Sequence, residues 1–583
     1  MSYLRLLLSL LFRLLARLIE PRMSSRVLSL GDNSAPAEDP SDPIADFHVY
    51  QHDIRYAYSC YLSTNIDNFE KVGKNLLESG FALLVSLPNG YCAWRIGGRT
   101  VFGDLEEADT IGAQSTKFRL PKTLDPALKG QIGKTALLRS AERSIFGNNS
   151  FPEAYIRVFL PPIRIVLDDA EIVDLDLQVK LFASGIVLLS FGLSERCDMG
   201  LKAYIKRRVN LGHHPLSAIE LRPEMAHLMM DAVAGEGVPF YARWKILRLR
   251  KAVRSKYPPE MREDGTHFVR LTGSDTSQLN GFALELVQAL AYCLGRPRSG
   301  LSYLIRGEPH EPRWTGFWSA SPHVHLLHFS QQQTSAALNE QLHHDALVRV
   351  LARTTAGQLV GASLPENLRK FDDVGIYANE SILLWVYAAL TEEPVMDGTL
   401  EHPLFSPTMQ HEVKGEVIEF APMLYRSFIH ELENRNLTWG RVLSARERIV
   451  EFELTLADVG KFGEVRESIV KGLEARDLSK IRHLAERQLA LRESTASVEE
   501  SRRLTAVGVV LAVTIGALGL PGVIEFVSEQ AFPALGWTSL RPSESLLIAG
   551  MVSGVAFAST ILVALYVVRH RKWIRWRSGR KRS

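Results

Sequence analysis

Several groups of residues have the types and spacing that chemistry needs. His323, His325 and His328 lie in SPHVHLLHF, with His343 and His344 shortly after. Strand alternation puts His323 and His325 on one face, within reach of a shared metal as one reading. No HExxH pattern accompanies them and no carboxylate sits at a fixed offset. The simpler reading is a half-exposed strand carrying polar histidines. In LDDAEIVDLDLQVKLF, Asp174, Asp176 and Gln178 alternate with Val173, Leu175, Leu177 and Val179. That pattern describes a strand with one wet and one buried face. Aspartates on the wet face also suit a divalent cation held through oxygen. GQIGKT (130–135) has part of a phosphate-binding loop, but Leu128 stands where its first glycine belongs, so it reads as an ordinary loop. No serine or cysteine pairs with a histidine and an acid as a nucleophile, and the sequence points to no enzyme. It also calls for no resident cofactor or defined metal site.

A second group lies near the C-terminus. Thr505, Gly508, Ala512, Gly516 and Gly519 recur at intervals of three or four, a small-residue stripe along one helix face. Such a stripe either packs against a neighbouring helix or faces a narrow pore axis. Gly550 and Gly554 form GxxxG, which reads as helix packing. Glu525 and Glu529 follow the stripe as candidate acids at an outer mouth. Arg502 and Arg503 precede it, and Arg569, Arg571 and Lys572 follow the second apolar run. These cations either ring the cytoplasmic end of a pore or contact anionic lipid head groups.

The elements expected to position these groups follow from hydropathy. Residues 504–527 and 546–568 are each long enough to cross about 30 Å of hydrocarbon as helices. Cations flank both runs on the side away from the connecting segment 528–544, which places the N- and C-termini in the cytoplasm. The expected location is the inner (plasma) membrane, with membrane lipids as partners. Between Leu473 and Gly508 no proline or glycine intervenes, so a stalk helix is expected to continue into the first span. Its seam is Leu478, Ile481, Ala485, Gln488, Leu491, Thr495 and Val498. A long helix with so polar a seam needs partners along its side, which points to a homo-oligomer.

Composition sets the remaining bounds. The chain has 583 residues, room for three or four domains, and a net charge of only +3, which gives no case for nucleic-acid binding. Its four cysteines form no CxxC pair and suit a reducing compartment, so a structural zinc site built on cysteine is not expected. Residues 1–22 read equally as an amphipathic helix lying in a membrane interface or as a non-native extension preceding Met23. Residues 23–45 read as a flexible linker. Residues 46–375 read as an α+β or α/β cytoplasmic domain, with an 81–98 hairpin turning at Pro-Asn-Gly. Strands are expected within 154–167, 170–182, 185–193, 267–271 and 324–329, and helices at 66–80 and 279–295. Residues 376–503, beginning with IYANESILLWVYAALTEE, read as a helical region and stalk. The first transmembrane helix (504–527), outer loop (528–544), second transmembrane helix (545–568) and basic tail (569–583) complete the expected fold.

The ending ALYVVRHRKWIRW and the loop segment FPALGW (532–537) resemble the CorA-type divalent-cation channels. The resemblance implies a pentamer whose first spans line a pore, with magnesium or a similar ion as transported or regulatory species. GLPGVI stands where that family has Gly-Met-Asn, and Ala534 where its loop has glutamate, so selectivity for magnesium is not implied. Two functions are expected from this reading. The first is cation transport gated by the cytoplasmic domain. The second is a membrane-anchored sensor or effector whose cytoplasmic domain binds a ligand or partner.

Overall fold

A computed structural model describes residues 46–62, 66–88, 90–96, 99–104, 126–146, 151, 153–235, 254–272, 278–295, 314–355, 363–369, 371–389, 407–433, 439–458 and 463–526. A few isolated positions beyond these are also described. The chain begins with β1 (His48–Leu62), α1 (Phe69–Glu78), β2 (Leu84–Ser86), β3 (Tyr91–Ile96) and β4 (Arg99–Asp104). Next come α2 (Pro126–Phe146), β5 (Tyr155–Leu167), β6 (Ile172–Phe182) and β7 (Ile186–Gly200). A helical segment at Leu201–Val209 leads to β8 (Leu216–Leu221), α3 (Pro223–Gly235), β9 (Glu260–Met261) and β10 (His267–Leu271). Then follow α4 (Leu279–Gly295), β11 (Trp314–Phe329), α5 (Ala336–Ala352), β12 (Val374–Ala378) and β13 (Leu383–Tyr387). The C-terminal part is helical: α6 (Pro407–Glu433), α7 (Trp439–Asp458), α8 (Gly463–Ala475) and α9 (Leu478–Phe526).

Among the described residues thirteen strands form one mixed sheet, its main path running β12-β13-β11-β1-β7-β6-β5-β2-β3-β4. Pairing is antiparallel except between β11 and β13. The sheet forks at β5. Its first half pairs with β2 and its second half with β8, while the β5–β6 register shifts between Leu160 and Ile163. Pro161 and Pro162 sit at that shift, where they lack the N–H groups a regular ladder needs.

Both faces of the central strands are covered, and β1 shows why. Its even positions, Ile54, Tyr56, Tyr58 and Cys60, are buried and aromatic or apolar. On that side the Tyr56 hydroxyl donates to the Arg208 carbonyl at 2.5 Å, and the Tyr58 hydroxyl to Asn280 Oδ1 at 2.7 Å. The odd positions Asp53, Arg55, Ala57, Ser59 and Tyr61 face α6, where the Tyr61 hydroxyl donates to Glu431 at 2.5 Å. A strand covered on both sides loses the wet face that alternation normally signals.

The hairpin at 81–98 is present, with Ser86 opposite Cys92 and Gly90 at φ +96° in its turn. The expected strands and the helices at 66–80 and 279–295 are found too. Three local expectations are corrected. GQIGKT is not a loop but part of α2. The segment from 376 is not helical; it forms β12 and β13, so the sheet continues past residue 375. Short apolar runs such as ILLWVY suit a buried strand as well as a helix, and pairing with β11 decides here. The stalk seam holds only in part. Ala485 is buried and Leu478, Ile481 and Gln488 are half-buried, whereas Leu491, Thr495 and Val498 are exposed.

The largest correction concerns the membrane. The expected continuity is found, since α9 runs unbroken from Leu478 to Phe526, a length of about 70 Å at 1.5 Å per residue. Among the described residues, however, no helix is long and apolar enough to cross a membrane. The second apolar run has only isolated described positions, Leu547, Gly550, Met551, Gly554 and Val555, all exposed. An apolar run supplies the length a span needs without making one, and the first run here is the end of a helix whose earlier turns are charged. The two transmembrane helices, and the multi-pass inner-membrane location that rested on them, are therefore withdrawn. The fold is a large mixed sheet with helices.

Candidate functional site: a buried ionic interlock

Cations and carboxylates meet in the dry layer between the sheet and α6. Three glutamates, Glu412, Glu416 and Glu419, stand at i, i+4 and i+7 of α6 and so share one helix face. Beneath them the sheet presents Arg55 from β1, Arg157 from β5, Gln178 and Lys180 from β6, and His323 and His325 from β11. Register brings these together, with Arg55 opposite His323 on one side and Gly192 on the other, and Arg157 opposite Lys180. The α2 helix adds Glu142.

The pairing is reciprocal. Arg157 donates to Glu416 at 2.5 and 2.8 Å, to Glu142 at 3.0 Å and to Gln178 at 3.2 Å. Lys180 Nζ lies 2.9 Å from both Glu142 and Glu416 and 3.6 Å from the Phe151 ring centroid, a cation–π contact. Tyr155 donates to Glu142, and Gln178 donates to Glu412. Arg55 lies 3.4 Å from Asp53 and 3.8 Å from Glu412. At the far end His323 Nε2 lies 3.2 Å from Glu419, which also accepts from Arg476 at 2.9 Å. Arg476 binds Ser321 and the Glu380 carbonyl as well. It stands two residues before α9 begins, so the start of α9 is tied into the same network.

Two glycines make room for these contacts. A Cβ at Gly192 would fall 2.0 Å from Arg55 Nη1, and one at Gly415 would fall 2.7 Å from His323 Nδ1. The first lets Arg55 lie across β7, and the second lets α6 settle onto β11. Beside them His325 stacks on Trp385 with ring centroids 4.3 Å apart and planes 2° apart, and its Nδ1 lies 3.2 Å from the Tyr387 hydroxyl.

Burial and pairing oppose each other at Glu142, Glu412, Glu419 and Lys180. Burial alone would raise Glu142, but Lys180 and Arg157 hold it below the usual carboxylate range. Glu412 is likewise lowered, with Arg55, Lys134 and Arg157 overcoming burial. Glu419 is lowered against burial by Arg476 and His323. Burial pulls Lys180 down while Glu142 and Glu416 pull it up, and burial wins. Burial also pushes His325 down to about 4, and His411, from α6, well below its ordinary value.

Inside the network is a cavity of about 30 Å³, lined by Arg55, Arg157, Lys180, His323, Glu412 and Glu416 among others. It has room for about one water molecule. The arrangement therefore acts as a clasp of paired charge, with space for a bridging water.

The opposite face of β1 carries a smaller polar group. His52 lies with Nδ1 3.5 Å from the Cys197 sulfur and Nε2 3.6 Å from Glu195. Glu195 also accepts from Arg208, whose guanidinium pairs with Glu171 at 2.5 Å. Burial, then Arg208, push His52 down to about 3, while burial and Glu195 raise the Cys197 thiol to about 11.

The sequence-predicted residues fare differently. His323 and His325 do share one face, but both are buried, at 4% and 2% exposure, and they engage Glu419 and Trp385 instead of a common metal. His328 is exposed. Asp174 and Asp176 are exposed as alternation predicts, with Asp174 paired to Arg164 at 2.8 Å, whereas Gln178 lies under α6. Thr505 and Gly508 are exposed on α9. Ala512, Gly516, Gly519, Arg502, Arg503 and Glu525 lie on the α9 backbone, with side chains outside the described set. Glu529 is exposed, and Arg569, Arg571 and Lys572 lie outside the described residues. Among the described residues nothing gathers these positions into a site. The sequence reading passed over Glu412, Glu416 and Glu419, although their 4-and-3 spacing beside Val413, Val417 and Phe420 is a carboxylate stripe bordering an apolar one.

No family model, curated protein or solved structure matches the chain.

The buried histidines give the fold a pH dependence. Folded His325 takes a proton only near pH 4, whereas an unfolded histidine does so near ~6.5. Between those values the unfolded chain binds more protons, so this stability is complete above the window and lost as pH falls through it. From about pH 6.5 to about pH 5, His325→Phe should lose roughly 2 kcal/mol less than the parent chain, measured by urea midpoints. An identical pH slope in both chains would contradict this assignment.

Proposed function

We propose that the chain is a signal-coupling protein without a catalytic role, in which a ligand or protein partner acts on the sheet and α9 carries the response. The observation that supports this most is Arg476. It stands at the root of α9 and joins Glu419 on α6, Ser321 on β11 and the Glu380 carbonyl. A shift at the sheet face therefore meets the start of α9 through charge contacts that tolerate few intermediate positions. The cavity inside the network, about 30 Å³, holds a bridging water and leaves the charged groups free to contact one another.

The partner proposed for α9 is a second copy of the chain. Leu484, Leu491 and Val498 are exposed at seven-residue intervals along it, the spacing of a coiled-coil seam. Arg482 to Glu453 at 3.0 Å and Arg446 to Glu493 at 3.1 Å fasten the other side of α9 to α7.

Two measurements test this reading. In Lys180→Met, hydrogen exchange should quicken by at least about 10-fold in α6 and the first turns of α9, while β1 and β7 stay protected. Unchanged exchange in α9 with loosened α6 would sink the coupling. Native mass spectrometry should find an oligomer that Leu491→Glu and Val498→Glu together dissociate. A monomeric parent chain would remove the proposed partner.

A further inference from the structure

Outside the ionic interlock, His52, Glu195 and Cys197 offer one ligand atom each, all within 4.8 Å of one another. We propose that these three side chains form a binding site for a zinc-like divalent metal, at the end of the sheet where β1 and β7 pair.

The residue types fit such an ion. Imidazole nitrogen, thiolate sulfur and carboxylate oxygen are the donors zinc takes, and three protein ligands leave a fourth position for water. The spacing comes close. Tetrahedral zinc with bonds of about 2.0–2.3 Å sets its ligand atoms about 3.3–3.8 Å apart; one ligand atom from each residue lies within 4.8 Å of the others, and sulfur to Nδ1 is 3.5 Å. Sulfur lies at Nδ1 and the carboxylate at Nε2 of a buried ring packed on Tyr204, so the partly buried Glu195 and Cys197 side chains are the ones that draw in around the ion.

A second observation points to a ligand. His52 has no exposed surface, and its Nε2 is buried without a hydrogen-bond partner. A buried ring nitrogen left open, aimed at a carboxylate beyond hydrogen-bond reach, is costly unless something occupies the gap. Among the described residues Glu195 and Cys197 are only partly buried, which leaves the site a side open to solvent. Arg208 competes for Glu195, but its guanidinium also holds Glu171. The Glu195 oxygen nearest His52 is the one that accepts from Arg208, so binding exchanges that hydrogen bond for the ion while Arg208 keeps Glu171. On binding, Cys197 releases its thiol proton to solvent.

Position in the fold gives the site a structural role. His52 neighbours Asp53 on β1, and Asp53 lies 3.4 Å from Arg55 on the opposite face. A metal there would fix β1 against β7 directly behind the ionic interlock.

The test uses the full chain stripped of metal by a chelator. Titration with zinc against a chromogenic competitor should show one tight equivalent, and cobalt substitution should give a thiolate-to-cobalt charge-transfer band. Loss of an outer partner already costs about 10- to 100-fold in metal affinity, so Cys197→Ser should weaken binding at least about 100-fold and abolish the cobalt band. Cys92→Ser, at a buried thiol elsewhere, should change neither. No tight equivalent, no thiolate band in the parent chain, or equal affinity in Cys197→Ser would each overturn the proposal. The cobalt spectrum of the parent chain decides the matter even if a variant fails to fold.

Discussion

Burying Arg157 and Lys180 beneath α6 is the constraint on which the rest of the structure depends. An ion taken out of water costs several kcal/mol even after relaxation, and the cost is recovered only when every partner is in place. Here the partners come from distant parts of the chain: Glu142 from α2, and Glu416 from α6. Neither helix can leave the sheet without stranding charge in a dry layer. Apolar contacts around them, including Phe182 against Phe420 at 4.4 Å, supply cohesion without direction. The ionic contacts supply the direction.

This arrangement explains features that would otherwise look unrelated. Gly192 and Gly415 are small because a side chain there would collide with Arg55 and His323. The β5 strand breaks register at Pro161 and Pro162, so its first half can carry Arg157 into the network while its second half joins β8. Arg476, at the corner before α9, extends the same logic to the longest helix.

Much of the sheet was legible because alternation and turn residues are local signals. LPNGY announced its hairpin, and AEIVDLDLQVKLF its strand. The interlock was not, because a polar residue at every second position looks the same whether it meets water or a helix some 230 residues later. Gln178 shows the ambiguity: it continues the pattern of Asp174 and Asp176, yet it lies under Glu412. His323 and His325 were placed on the correct face, but their burial depends on α6 and β13, which no spacing in SPHVHLLHF encodes. The membrane expectation rested on the length, hydropathy and flanking cations of two runs, and none of these tells a span from the end of a helix whose earlier turns are charged.

A double-mutant cycle on Arg157 and Glu416 tests the central claim most directly. With methionine at either position alone, unpaired charge remains buried, and each change should cost about 3–5 kcal/mol in urea unfolding. With methionine at both, about 2–3 kcal/mol of the summed loss should return as coupling energy. Additive losses, with no recovery in the double variant, would contradict the account.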